Sequence, residues 1–161
     1  MLYDEEMMLK ALELAKKAYD MGECPVGAIV ADKNGKIIGQ GYNRRETDRS
    51  PTAHAEIIAI EEAAKTLQSW RLSDCTLYVT LEPCPMCMGA MLNARIKKVY
   101  FGAYEAKGRS MTEELANSNL VNHRIEVEGG IMQEECAEVL SSFFAGMREK
   151  TKKCEELKSE K

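Results

Sequence analysis

The sequence predicts an α/β fold, a three-layer α/β/α domain built on one central mixed sheet of five strands. Segments with helical apolar spacing alternate with short runs rich in β-branched residues. A turn at Asp32-Lys-Asn34-Gly35 joins two of those runs into a hairpin, because Asn-Gly tolerates the positive φ such turns demand. The order helix, hairpin, helix, strand, helix, strand, strand, helix then fits helices layered on a single sheet. At 161 residues, 45% hydrophobic and 30% charged, the chain suits a single domain with a real core. Residues 1–148 are expected to form that domain.

The elements follow in order. Residues 5–20 place Met8, Ala11, Leu12, Ala15, Ala18 and Tyr19 on one face, and Gly22 closes the helix. Residues 25–31 read as a buried strand and 36–41 as its hairpin partner, followed by a polar loop over 42–52. Residues 53–67, dominated by Ala, Ile and Glu, predict a helix. Thr76–Leu81 is the third strand, Glu82-Pro-Cys-Pro a break, and 86–94 a helix of good helix formers. Residues 98–102 form the fourth strand, 103–123 are irregular or partly helical, and 124–127 form a short fifth strand. A helix is expected over 132–144. Residues 149–161, of mixed charge, are expected to form a frayed continuation of it.

The bulk properties restrict the class of function. No apolar run approaches the roughly 20 residues of a membrane-spanning helix. The acidic start, Met1-Leu-Tyr-Asp-Glu-Glu, lacks the basic and apolar regions of a secretory signal, so a cytoplasmic location is expected. In such a compartment the six cysteines are free thiols or metal ligands rather than disulfides. A net charge of −4 argues against a protein that coats duplex DNA. The charge is segregated: Arg95, Lys97, Lys98, Lys107 and Arg109 meet only Glu105 between 95 and 109, which leaves room for one nucleic-acid-facing surface.

The chemistry is concentrated in two short motifs. Pro83-Cys84-Pro85-Met86-Cys87 sets two thiols three residues apart at a helix start, on one side of its first turn. The helix dipole favours thiolate there, the form that binds zinc. Alone, this pair is equally compatible with a redox couple or two core cysteines. Thr52-Ala-His54-Ala-Glu56 places one of only two histidines at another helix start. Glu56 lies two positions on, about 200° around the helix, so it cannot share the direction of His54. One His and two Cys leave a fourth zinc position open, as catalysis requires, and a neighbouring Glu can move protons. This H-x-E…P-C-x-x-C combination is the signature of zinc-dependent deaminases of nucleobases.

On these residues the sequence resembles the cytidine/deoxycytidylate deaminase superfamily, and within it the bacterial tRNA-specific adenosine deaminases. The likeness runs from the first helix to about Phe144. It includes Pro25-Val-Gly-Ala, Gly41-Tyr-Asn43, Pro51-Thr-Ala-His-Ala-Glu56, Leu77-Tyr-Val-Thr-Leu-Glu-Pro-Cys-Pro-Met-Cys-Met-Gly-Ala-Met91, Val99-Tyr-Phe-Gly-Ala103, Asn122-His123 and Phe143-Phe144. The resemblance implies one Zn2+ per subunit on His54, Cys84 and Cys87, with Glu56 as proton carrier. It implies that Asn43 bonds the base or its ribose, that Val26, Ala28 and Ala55 line the base pocket, and that Pro83 receives the leaving ammonia. Asn122, His123 and Phe144 would meet flanking nucleotides of a tRNA anticodon loop, and a homodimer would complete the RNA surface. Judged without the resemblance, Asn43 fits a turn cap and the Phe143-Phe144 pair a core contact. Two stretches depart from the tRNA-editing pattern. Tyr104-Glu105 stands where Asp is usual, before a contracted small-residue segment, and Ala145-Gly146-Met147 intervenes before Arg148. A deaminase of a free nucleobase or small amino-heterocycle is therefore the alternative.

Overall fold

A computed structural model describes residues 3–105, 111–119 and 122–160. Its sheet has the expected five strands: β1 (Gly27–Ala31), β2 (Ile37–Tyr42), β3 (Thr76–Leu81), β4 (Lys98–Ala103) and β5 (Glu126–Gly129), in the order β2-β1-β3-β4-β5. β1 pairs antiparallel with β2 and β3, whereas β3–β4 and β4–β5 are parallel, so the sheet is mixed. Helix α1 (Tyr3–Asp20) and α5 (Gln133–Ser159) lie on one face. α2 (Ala55–Leu67), α3 (Pro85–Ala94) and the short α4 (Thr112–Ala116) form the third layer.

All five residues of β1 are buried, because both of its faces are covered by helices. Helix α1 comes so close to the sheet that a Cβ on Gly27 would strike the Ala11 carbonyl. On the other face Gly39 and Gly41 let α2 lie directly on β2. A Cβ at Gly39 would meet the Ala59 carbonyl and sit 2.7 Å from the Ala63 nitrogen. Ala55, Ala59 and Ala63, each fully buried, form the facing stripe of α2. Small residues on both partners thus set the depth of α2, and with it the position of its first turn.

The bounds of three elements differ from the predicted ones. β5 lies two residues later: Ile125 turns into the core at 4% exposure, and its N–H bonds the Ala116 carbonyl instead of joining the ladder. α2 and α3 begin at Ala55 and Pro85, one or two residues from the predicted starts, which makes His54 and Cys84 the capping residues. In α3, Met88 and Met91 are buried while Met86 remains 36% exposed. The last helix continues beyond 144 as expected and runs unbroken to Ser159 instead of fraying, because Glu, Lys and Met favour helix and Glu149–Lys153 and Lys152–Glu156 fall at i,i+4 spacing.

Gly39→Ala is expected to destabilise the protein by roughly 1–3 kcal/mol through overpacking against the α2 backbone. Thermal unfolding would report this as a lowered midpoint; an unchanged midpoint would show that α2 is free to shift.

Candidate active site

Two helix N-termini converge at the carboxyl end of β3. Cys84 caps α3 with extended backbone (φ −74°, ψ 167°), and Pro85 occupies the first helical position, where its missing N–H costs nothing. Cys87 follows within the same first turn and is fully buried. His54 caps α2, also extended (φ −78°, ψ 153°), but its side chain makes no capping hydrogen bond. Its imidazole faces the thiols instead: Nδ1 lies 3.7 Å from Cys84 Sγ and 3.6 Å from Cys87 Sγ. All three donor atoms fall within 4.8 Å of one another.

This spacing fits zinc. Bonds of about 2.0–2.1 Å to nitrogen and 2.3 Å to sulfur at tetrahedral angles put N and S about 3.6 Å apart. The proton affinities fit as well. The Cys84 thiol is drawn down to about 4, first by its hydrogen bond with Cys87 and then, against burial, by His54. Cys87 is pushed up, first by that same bond with Cys84 and then by burial and by Glu56. One thiolate therefore forms readily, while the second needs a cation to share its charge. His54 is shifted upward, chiefly by its contact with Cys84.

Glu56 is 3% exposed, in the first turn of α2. Burial pushes its carboxyl up to about 7, against smaller opposing effects of Cys87 and His54. A carboxyl with that proton affinity can both accept and return a proton near neutrality.

The ligand cluster forms the floor of a cleft of about 600 Å3. Of the residues expected to contact substrate, Val26, Asn43, Ala55, Pro83 and Phe144 line it. The Phe143-Phe144 pair divides its roles. Phe143 packs edge-on against Tyr19 at 5.6 Å, while Phe144 stays 46% exposed at the cleft. Ala28 is fully buried, two residues beyond Val26 in β1, and does not reach the cleft wall.

Asn122 and His123 lie elsewhere in this subunit. They border a separate depression with Asn119 and Arg124, and His123 Nε2 lies 2.7 Å from the Ile96 carbonyl, just before β4. Because β3 and β4 run parallel, that is the opposite end of the sheet from the metal ligands. The described basic residues of 95–109 lie at that end as well. Arg95 and Lys97 border that opposite end, and Lys98 pairs with Glu128 at 3.3 Å. Lys107 and Arg109 lie outside the described residues.

Glu23, Cys24 and Arg45 line the cleft without any sequence signature, and Glu82, Glu105 and Met147 line it too. Glu82 accepts from the Glu105 N–H at 3.1 Å and the Thr112 hydroxyl at 2.9 Å, which fastens the segment after β4 to the start of the Cys84 motif. Met147 belongs to the three-residue insertion and Glu105 is the unusual acid, so both departures from the expected pattern border the cleft.

The chain belongs to the family of the cytidine and deoxycytidylate deaminase zinc-binding region, whose model matches residues 1–103. It is 47% identical over 154 residues to the tRNA-specific adenosine deaminase of Bacillus subtilis, covering 94% of this chain and 95% of that protein. A solved structure from work on A-to-I editing by tRNA:A34 deaminases at the wobble position of transfer RNA superposes with a TM-score of 0.79 at 36% identity, covering 84% of this chain and 99% of that one. Guanine deaminase from Nitrosomonas europaea gives 0.74 at 25% identity, with coverage of 88% and 84%.

Purified protein is expected to hold close to one zinc per chain by atomic absorption. His54→Ala should lose most of it and Glu56→Gln should keep it. Full zinc content in His54→Ala would remove the imidazole from the ligand set.

Proposed function

We propose that this chain deaminates adenosine to inosine at the wobble position of a tRNA anticodon. The observation that carries the reading is identity of 47% along nearly the entire chain with a relative named for that substrate; on superposition the tRNA:A34 deaminase structure shares 36%, and guanine deaminases share 25% and 33%. The cleft supports it by being open at its rim, with the exposed Phe144 and Met147 on one side and Arg45 on another. Such a rim suits a target base splayed from a single-stranded loop with its neighbours stacked or paired outside. A cytoplasmic location is in keeping with a tRNA substrate.

His54, Cys84 and Cys87 would hold the zinc, which would supply an activated water at neutral pH. Glu56 moves two protons in turn, the first from the attacking water to the ring nitrogen and the second from the resulting hydroxyl to the departing amine, which leaves as ammonia. Asn43 holds the base or its ribose, Val26 and Ala55 pack against the ring, and the Pro83 carbonyl faces the leaving group. Asn122 and His123 reach RNA through a partner subunit rather than through their own cleft. A homodimer is supported by the outer face of α2, α3 and α4, where Ile57, Met86, Ala90 and Leu115 line a shallow groove. The domain proper is residues 1–148, with the charged remainder of α5 as an appendage.

The favoured alternative substrate is a free base, since Met147 and Glu105, both departures from the tRNA-editing pattern, lie at the cleft. An anticodon stem-loop with adenosine at the wobble position is expected to yield inosine, detected by mass spectrometry, while guanine, cytosine and free adenosine stay unchanged. Turnover of guanine alone would reverse the assignment. Glu56→Gln should lower turnover about 10²–10⁴-fold with zinc retained.

A further inference from the structure

We infer that Glu23 is a positioning residue, holding the loop after β2 so that Asn43 presents its amide to the substrate. Glu23 stands between α1 and β1, tied to the helix end by its own N–H to the Ala18 carbonyl at 2.9 Å. It is 2% exposed, and among the described residues no Lys, Arg or His nitrogen lies within ion-pair distance of its carboxylate. Its charge is met by backbone instead. Oε1 accepts the Glu46 N–H at 3.0 Å and Oε2 the Thr47 N–H at 2.9 Å.

Those two amides open a single helical turn. The Asp48 N–H bonds the Arg44 carbonyl at 2.8 Å, and the Ser50 N–H bonds the Arg45 carbonyl at 3.0 Å. The first N–H groups of such a turn have no acceptor within it, and a carboxylate is a strong substitute. Glu23 thus acts as an N-cap supplied from 23 residues away. The third amide of the turn, that of Arg45, is capped by Asn43 Oδ1 at 3.0 Å, while the Asn43 N–H bonds the Val26 carbonyl at 3.1 Å. Asn43 and Glu23 therefore cap one turn together, and the orientation of the Asn43 amide depends on where Glu23 holds that turn. Burial raises the proton affinity of Glu23, but the Thr47 and Glu46 amides, the Thr47 hydroxyl and the nearby Arg45 charge together lower it by more, leaving the carboxyl below its ordinary value. An uncharged side chain would fill this space at less desolvation cost, so the geometry points to a demand for two strong acceptors.

The inference rests on Asn43 contacting substrate, and a double-mutant cycle separates the two claims. It is run on whichever substrate wild type converts, the stem-loop or guanine. Asn43→Ala is expected to raise KM about tenfold. Glu23→Gln, isosteric but able to accept at one atom only, should raise KM by a similar factor with kcat within about twofold and zinc unchanged. In the Asn43→Ala background it should add less than about twofold. Amide exchange at Glu46 and Thr47 should accelerate in Glu23→Gln and in Glu23→Asp, which serves if the first variant fails to fold. Faster exchange with unchanged KM, or multiplying effects in the double variant, would overturn the positioning role. An unchanged KM in Asn43→Ala alone would overturn the substrate contact first and the positioning role with it.

Discussion

The structure depends on holding two helix N-termini against each other at one end of the sheet. Each ligand is placed by backbone rather than by a flexible side chain: His54 and Cys84 are capping residues, and Cys87 sits within the first turn of α3. A shift of α2 by a fraction of an ångström would change the 3.6 and 3.7 Å separations on which a shared metal depends. The contacts that fix α2 are therefore part of the site, although they lie away from it. The glycines of β2 and the alanine stripe of α2 permit backbone contact, a closeness that larger side chains would prevent. The same helix ends also supply electropositive amides, which favour thiolate at Cys84.

Three glutamates around the cleft show how one side chain takes different properties from its surroundings. Glu56 is buried beside sulfur and imidazole, and desolvation governs it, so its proton affinity rises toward neutrality. Glu23 is equally buried, but two backbone amides point at it and its proton affinity falls. Glu82 spends its oxygens on Glu105 and Thr112 and so bonds one loop to another. The first is suited to moving protons, Glu23 to staying ionised, and Glu23 and Glu82 both to holding chain segments in place. The cleft is thus walled by loops that are fastened individually, on a floor fixed by helix ends.

Much of this was readable from residue order. Helical apolar spacing and short runs rich in β-branched residues identified the long elements, and Asn34-Gly35 located the hairpin, because those signals are local. The metal motifs were legible because ligand spacing within one helical turn is itself local. Beyond that reach the reading weakened. Asn122, His123, Arg95 and Lys97 come together at the end of the sheet opposite the metal ligands, because β4 and β5, which they precede, run parallel to β3, and no local signal shows that.

By itself, then, the amino-acid order determined which residues could form a zinc-dependent deaminase site, since three donors and a carboxylate in two short motifs admit few other uses. It also determined the layered α/β architecture. Tertiary structure alone decided that His54 and the two thiols share a common centre, that Glu23 meets a turn 23 residues later, and that Met147 and Glu105 border the cleft. Those facts arise from packing between segments distant in the chain, and no local periodicity encodes the distance between two helices laid on different strands.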